Sequence, residues 1–429
     1  MGACCSCHTG GRFEYPVEEE DEEREVEHED IILRGHAGAR VRHQGSSKYV
    51  SMYTQQGKKG TNQDAMTVWE SFSGDKDMFF CAVFDGHGPS GHKVAQYVRD
   101  LLPAKISSLY KQSSVDGKNA VLDIETGADD RNQNMESKNP LLLSWKARLT
   151  KSFQEMDEQL GADGSVETYC SGTTSVCVLR KGEHLIIANL GDSRAVLCTR
   201  NESQQLVSEQ LTVDLKPHLP AEAKRITSCQ GRIMAMDEEP NVYRIWMPNE
   251  DCPGLAMARA FGDFCLKDFG LISTPEVTYR KLTERDEFVV LATDGIWDAL
   301  SNDEVVKIVA SARKRSMAGK LLVEKAVRAW KYKFPRAKID DCAVVCLFFK
   351  RQKPVLTKSA SEVTELSFNF TELEAQSIAG RTDDALDTVL DCRIDGSPED
   401  TKTGAGKSDP TLNRPRRRRP ARKLEYVGE

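Results

Sequence analysis

Short apolar runs separated by turn residues recur through the middle of the chain. They lie at residues 78–84 (MFFCAVF), 175–179 (SVCVL), 184–190 (HLIIANL), 288–293 (FVVLAT) and 343–349 (AVVCLFF). Runs of this length, bounded by turn signals, predict strands buried in a core. Longer stretches with helical spacing and few breakers lie at 92–102, 142–160, 221–229 and 302–332, and predict helices. Strands in groups with helices outside them predict a mixed α+β architecture in which helices cover a sheet core. A polar stretch at 111–140 interrupts the pattern and reads as a surface insertion.

Length adds little to this: 429 residues suit two ordinary domains or one large domain with flexible ends. The pattern places one domain at 46–350, with a flexible arm at 1–45 and a largely disordered tail at 351–429. No apolar run approaches bilayer length, so the core faces water. A formal net charge of -7 argues against a chain that binds nucleic acid along its whole length. Of the 13 cysteines, Cys81, Cys177, Cys198, Cys342 and Cys346 lie inside apolar runs, where a thiol packs as a small hydrophobe. There is no paired CxxC pattern and no secretory signal, so the expected compartment is cytosolic or nuclear.

The ends carry their own signals. The opening MGACCSC has the form M-G-x-x-x-S, in which Gly2 accepts a myristoyl chain, and Cys4 and Cys5 beside it offer a second acylation. Two such chains predict peripheral membrane attachment. Residues 18–30 (EEEDEEREVEHED) are almost wholly charged and read as a solvated arm. Beyond 350 only 366–378 hints at a helix. The cluster RPRRRRPARK at 414–423 is open to three readings: a nuclear import signal, a lipid or nucleic-acid contact, or a solvated tail without a partner.

Chemistry enters with the aspartates. Asp85 follows the run 78–84, Asp192 follows 184–190 and a glycine, Asp294 follows 288–293, and Asp340 precedes the last apolar run. Carboxylates at strand ends converge at a sheet's edge, and hard cations such as magnesium and manganese take oxygen ligands from such clusters. Turn residues and helix caps account for aspartate beside glycine equally well. Around them lie Asp85-Gly86-His87-Gly88, where an imidazole can move protons and the Gly86 carbonyl can approach an ion, and Asp294-Gly295-Ile296-Trp297-Asp298, with two carboxylates on one turn. Upstream, Lys59 and Asp64 offer a cation for phosphate and a further carboxylate.

These words, in order GTNQDA (60–65), FDGHGPSG (84–91), SGTT (171–174), NLGDSRAV (189–196), LTVDLKP (211–217), ARAFGD (258–263), ATDGIWD (292–298) and DDCAVV (340–345), resemble the type 2C family of metal-dependent protein phosphatases, most closely its plant members. The resemblance implies a sandwich of two antiparallel sheets flanked by helices, with metals in a channel at one end. It implies that Asp85 bridges two magnesium or manganese ions, that Gly86 ligates one through its carbonyl, and that Asp294 and Asp340 complete the other. Asp64 then acts through bound water, and Asp192 and Asp298 match a weaker third site. His87 protonates the leaving serine or threonine oxygen, and Lys59 steadies the phosphate. The substrates it implies are phosphorylated proteins, acted on by a monomer.

Two departures from the family pattern stand out. Gln63 replaces a frequent glutamate and adds no charge toward a metal; Lys59 replaces a frequent arginine and cannot grip phosphate bidentately. They leave a second reading in view, a weakened phosphatase fold used for docking, beside a third in which the basic tail binds lipid or nucleic acid. The rival cysteine-nucleophile route lacks its residues, because no cysteine is followed by arginine six positions on.

Overall fold

A computed structural model describes residues 27–28, 31–34, 39–42, 49–115, 139–237, 239–251 and 253–349. Gly2, Cys4, Cys5, the polar residues 116–138 and the 351–429 tail with its basic cluster lie outside the described residues.

Two sheets form the centre. The first runs β1 (Glu27–His28), β2 (Ile31–Arg34), β3 (Ala39–Arg42), β5 (Asp64–Glu70), β6 (Met78–His87), β8 (Ser175–Lys181), β9 (His184–Leu190), β16 (Glu276–Lys281). It is antiparallel except where β3 joins β5. Short β7 (Gly172–Thr173) pairs with the end of β6 and with β15 (Phe261–Gly262). The second sheet runs β11 (Leu206–Gln210), β10 (Arg194–Arg200), β17 (Asp286–Ala292), β18 (Cys342–Phe348), β4 (Val50–Gln55), all antiparallel. A third, of β12 (Arg232–Met236), β13 (Glu239–Trp246) and β14 (Pro253–Leu255), stands apart.

The central strands carry uninterrupted apolar stretches because both of their faces are covered. Along β6, Cys81 and Val83 enter a core shared with Val289 and Leu291 of β17 and Val345 and Leu347 of β18, which is the inside of the sandwich. Phe80, Ala82 and Phe84 point the other way, beneath α1 (Gly91–Val115) and α2 (Pro140–Ala162). Those helices supply stripes at helical spacing, Val94, Val98, Leu102 and Ile106 from one and Trp145, Leu149, Phe153, Met156 and Leu160 from the other. On the opposite side Val290, Val344 and Cys346 lie beneath α6 (Asn302–Ala310) and α7 (Ala318–Lys333). The order is helix, sheet, sheet, helix, the α+β sandwich that the resemblance implied. A fourth cluster joins α3 (Pro220–Ser228) and α4 (Phe264–Lys267) to the third sheet through Ile226, Ile245, Leu255 and Leu266.

Three expectations change. The single helix over 302–332 is two: α6 ends at Ala310, a 3-10 turn occupies Arg315–Met317, and α7 starts at Ala318. Ser51 of β4 fixes the break, its hydroxyl donating to the Ser316 carbonyl at 3.0 Å and accepting the Gly319 amide at 3.0 Å. The helix expected over 92–102 continues to Val115, past Pro103, so the first residues of the polar stretch at 111–140 are helical. Ile106 and the stacking of Tyr110 on Trp145, with centroids 5.3 Å apart, hold that extension to the core. Part of the 1–45 segment, read as an arm, carries β1, β2 and β3.

Candidate active site

β5 and β6 are in register with Asp64 opposite Asp85. β6 extends through Asp85 to His87, and its end is clamped: the Asp85 amide donates to Thr174 Oγ1 at 3.0 Å, and the Asp85 carbonyl accepts Thr173 Oγ1 at 3.0 Å. Gly86 has no space for a side chain, because a Cβ would run into the carbonyls of Gly91 and Gln63. Asp192 sits in the turn that carries the chain from β9 in the first sheet to β10 in the second. On the second sheet, Asp294 opens α5 (Asp294–Trp297) just after β17, Asp298 closes it, and Asp340 and Asp341 precede β18. Both sheets therefore send carboxylates to one place.

The electrostatics show how close these groups are. Burial raises Asp85 well above the ordinary carboxylate value, and the charges of Asp294, Asp64, Asp340 and Asp192 raise it further. Asp294 is pushed up to about 7 by burial, then by Asp340 and Asp192, against the opposing pull of Lys59 and Lys216. Asp64 is raised by burial, then by the charges of Asp341, Asp340 and Asp294, and Asp298 by burial, then by Asp294, Asp340 and Asp192. In Asp340, burial outweighs the lowering by Lys59. A buried pool of like charge of this kind calls for cations.

Some cations are the chain's own. Lys59 Nζ lies 2.7 Å from Asp340 Oδ2, so the lysine expected at phosphate here holds a carboxylate of the pool. Lys216 Nζ lies 2.5 Å from Asp192 Oδ2. Asp64 Oδ2 accepts Thr293 Oγ1 at 2.8 Å. Three buried oxygens, Asp64 Oδ1, Asp85 Oδ2 and Asp192 Oδ1, have no partner. Among the described residues no three acidic, histidine or cysteine side chains form a ready-made coordination shell. The donor chemistry nevertheless fits a hard divalent ion: oxygen only, buried, with vacant lone pairs.

His87 Nε2 lies 2.6 Å from Asp263 Oδ2, with the two side chains 3% and 0% exposed. Asp263 holds a left-handed backbone, φ 49, and its amide donates to the Ser171 carbonyl at 3.0 Å. Gly172 lacks a Cβ where one would strike both partners of the pair. His87 Nδ1 has no protein partner. Gln63 turns its amide to the Gly88 carbonyl at 3.0 Å, a bond that an ionised glutamate has no hydrogen to make. Asp341 accepts the amides of Gly57 at 2.7 Å and Gln63 at 2.8 Å, fixing the loop that carries Lys59.

Sequence reasoning assigned no role to Asp263, Lys216, Thr293 or the Asp341 clamp. The first three lie inside recognised words, ARAFGD, LTVDLKP and ATDGIWD, but their partners are distant in the chain: Asp263 is 176 positions from His87 and Thr293 is 229 from Asp64.

A two-sheet sandwich that pools carboxylate oxygens from both sheets, beside a buried imidazole–carboxylate pair, defines a hydrolase working with hard divalent cations. Residues 48–330 match the Protein phosphatase 2C family, and the chain belongs to that family. It is 50% identical over 352 residues to "Probable protein phosphatase 2C 65" of Arabidopsis thaliana, covering 82% of this chain and 89% of the relative. It is 57% identical over 304 residues to "Probable protein phosphatase 2C 73" of Oryza sativa subsp. japonica, covering 70% and 72%. The fold matches the crystal structure of serine-threonine phosphatase 2C from Toxoplasma gondii with a TM-score of 0.59 at 24% identity, over 70% of this chain and 94% of that one. The protein is a serine/threonine protein phosphatase of plant-like type, from a family that generally depends on magnesium or manganese.

Proposed function

We propose that this chain hydrolyses phosphoserine and phosphothreonine in proteins at the carboxylate pool, holding two divalent ions and a weaker third. The observation that carries the assignment is the trio of partnerless buried oxygens on Asp64, Asp85 and Asp192 amid carboxylates raised by burial and by mutual repulsion. Asp85, the Gly86 carbonyl, Asp294 and Asp340 hold the principal pair, Asp64 acts through water, and Asp192 with Asp298 serves the third. When bound, the ions supply a water of lowered pKa and positive charge facing the phosphate oxygens.

The chain's own residues do the rest. Asp263 holds His87 through Nε2, which leaves Nδ1 as the nitrogen that gives a proton to the departing serine or threonine oxygen. Lys59, on the same loop as Gln63, passes from Asp340 to the phosphate once cations take up the carboxylate charge. The test is manganese-dependent hydrolysis of a phosphopeptide. Asp85→Ala and Asp294→Ala should each lose roughly 10³-fold in kcat with the fold intact by circular dichroism. Unchanged turnover in either would refute the assignment.

We further propose that Gly2 is myristoylated and that Cys4 or Cys5 is palmitoylated, tying the enzyme to a membrane surface. The opening motif supports this, and an unmodified Gly2 in mass spectra of the native protein would refute it.

A further inference from the structure

Behind the His87–Asp263 pair lie two reduced thiols that the chemistry above does not use. Cys170 Sγ is 3.5 Å from Cys265 Sγ, although the residues are 95 positions apart. Cys170 is half-buried beside exposed Tyr169, and Cys265 is 4% exposed. A disulfide needs its sulfurs about 2.05 Å apart, so a bond would bring the two sulfurs closer by roughly 1.5 Å and pull on the segments that carry them.

Both segments hold the proton donor. Cys265 is two residues from Asp263 and starts in α4, while Cys170 precedes Ser171 and Gly172. Backbone bonds lace them: the Asp263 amide to Ser171, Phe264 to Thr168 and Cys265 to Tyr169, at 3.0, 3.2 and 3.0 Å. The Cys170 carbonyl lies against Gly88, the residue after His87, so closely that a Cβ at Gly88 would collide with it. Gly172 is equally tight against His87 and Asp263. A backbone shift at Cys170 would therefore press on Gly88 and, through Gly172, on the imidazole and its carboxylate.

We infer that Cys170 and Cys265 form a reversible peroxide-driven disulfide that lowers turnover by displacing the His87–Asp263 pair. Cys170 sulfur attacks a peroxide oxygen; the S–O bond forms, the O–O bond breaks and water leaves. Cys265 sulfur then attacks the Cys170 sulfenic acid; the S–S bond forms, the S–O bond breaks and a second water leaves with the thiol proton. Two thiols lose two electrons in all, and one peroxide becomes two waters. Burial, followed by the nearness of Cys170, pushes the Cys265 thiol far above the usual cysteine range, so the more accessible Cys170 takes the first step and Cys265, held 3.5 Å away, enters the second by proximity.

The effect on turnover rests on His87 as proton donor, so the experiment reads the crosslink and the chemistry separately. The full chain is treated with hydrogen peroxide, the disulfides are mapped by peptide mass spectrometry, and kcat and KM are measured on an aryl phosphate with manganese before and after a dithiol. The expected result is a Cys170–Cys265 peptide pair, a fall in kcat of at least about tenfold with KM little changed, and recovery on reduction. Cys170→Ser and Cys265→Ala should keep their reduced-state kcat under peroxide. Absence of that peptide pair, or its presence with unchanged kcat, overturns the inference. The donor role is judged apart, on reduced His87→Asn: full kcat there defeats the proton-donor reading while the mapped crosslink and its inhibition still stand or fall by themselves.

Discussion

Asp340 and Asp341 are adjacent and take different partners. Asp340 meets Lys59 within the carboxylate pool, whereas Asp341 spends both oxygens on the amides of Gly57 and Gln63. Sequence alone favoured Asp340 as the ligand but had no means of seeing the clamp, because backbone amides are not spelled in residue types. The same holds for Asp263: its word was legible, its partner was not. Replacing it by asparagine keeps the shape but removes the charge beside the imidazole. Asp263→Asn should lower kcat by about 10²-fold, measured by steady-state kinetics. Gln63 gives the reverse expectation. Gln63→Glu adds a carboxylate to the pool and loses the donor to Gly88, so calorimetry with manganese should show tighter binding, while the urea midpoint of the metal-free protein falls by the equivalent of about 1 kcal/mol.

At the scale of elements, strands were legible and boundaries were not. The five apolar runs mark β6, β8, β9, β17 and β18, overrunning the last two by one residue each, because burial on both faces writes an uninterrupted pattern. β11 and the exposed half of β13 are polar enough on one face to escape that signal, and β12 (RIMAM) is apolar but short and nowhere fully buried. The break between α6 and α7 had no proline or glycine to announce it, since it is made by Ser51 from the far end of the domain. Ser51→Ala should therefore cost about 1–3 kcal/mol by stranding the Gly319 amide, read as a lower urea midpoint with kcat unchanged. α3 is tied down differently. Burial lifts Glu222, but hydrogen bonds and charge from Arg259 and Arg225 outweigh it and leave the group below its ordinary 4.5. A depressed folded value means the contribution is present above pH 4.5 and disappears as pH falls through the lower folded value. Glu222→Gln should flatten the fall of stability below that pH, measured by urea unfolding across the acid range.

Taken whole, the molecule places an electrostatic cost where its two sheets meet. Like charge buried without cations opposes folding, so adding manganese at a hundredfold excess over its Kd should stabilise the protein by roughly 3 kcal/mol, raising Tm by about 5 °C, and a chelator should reverse the gain. Calorimetric scans with and without chelator read this directly. No change in Tm would mean that the pool binds no ion at all.

β18 pairs with β4, Cys342 opposite Gln55. During synthesis, β4 leaves the ribosome early and then waits for almost three hundred further residues before its neighbour arrives. Asp340 emerges with that late neighbour. A polypeptide released prematurely, anywhere upstream of β18, therefore carries neither the closing strand nor the last carboxylate.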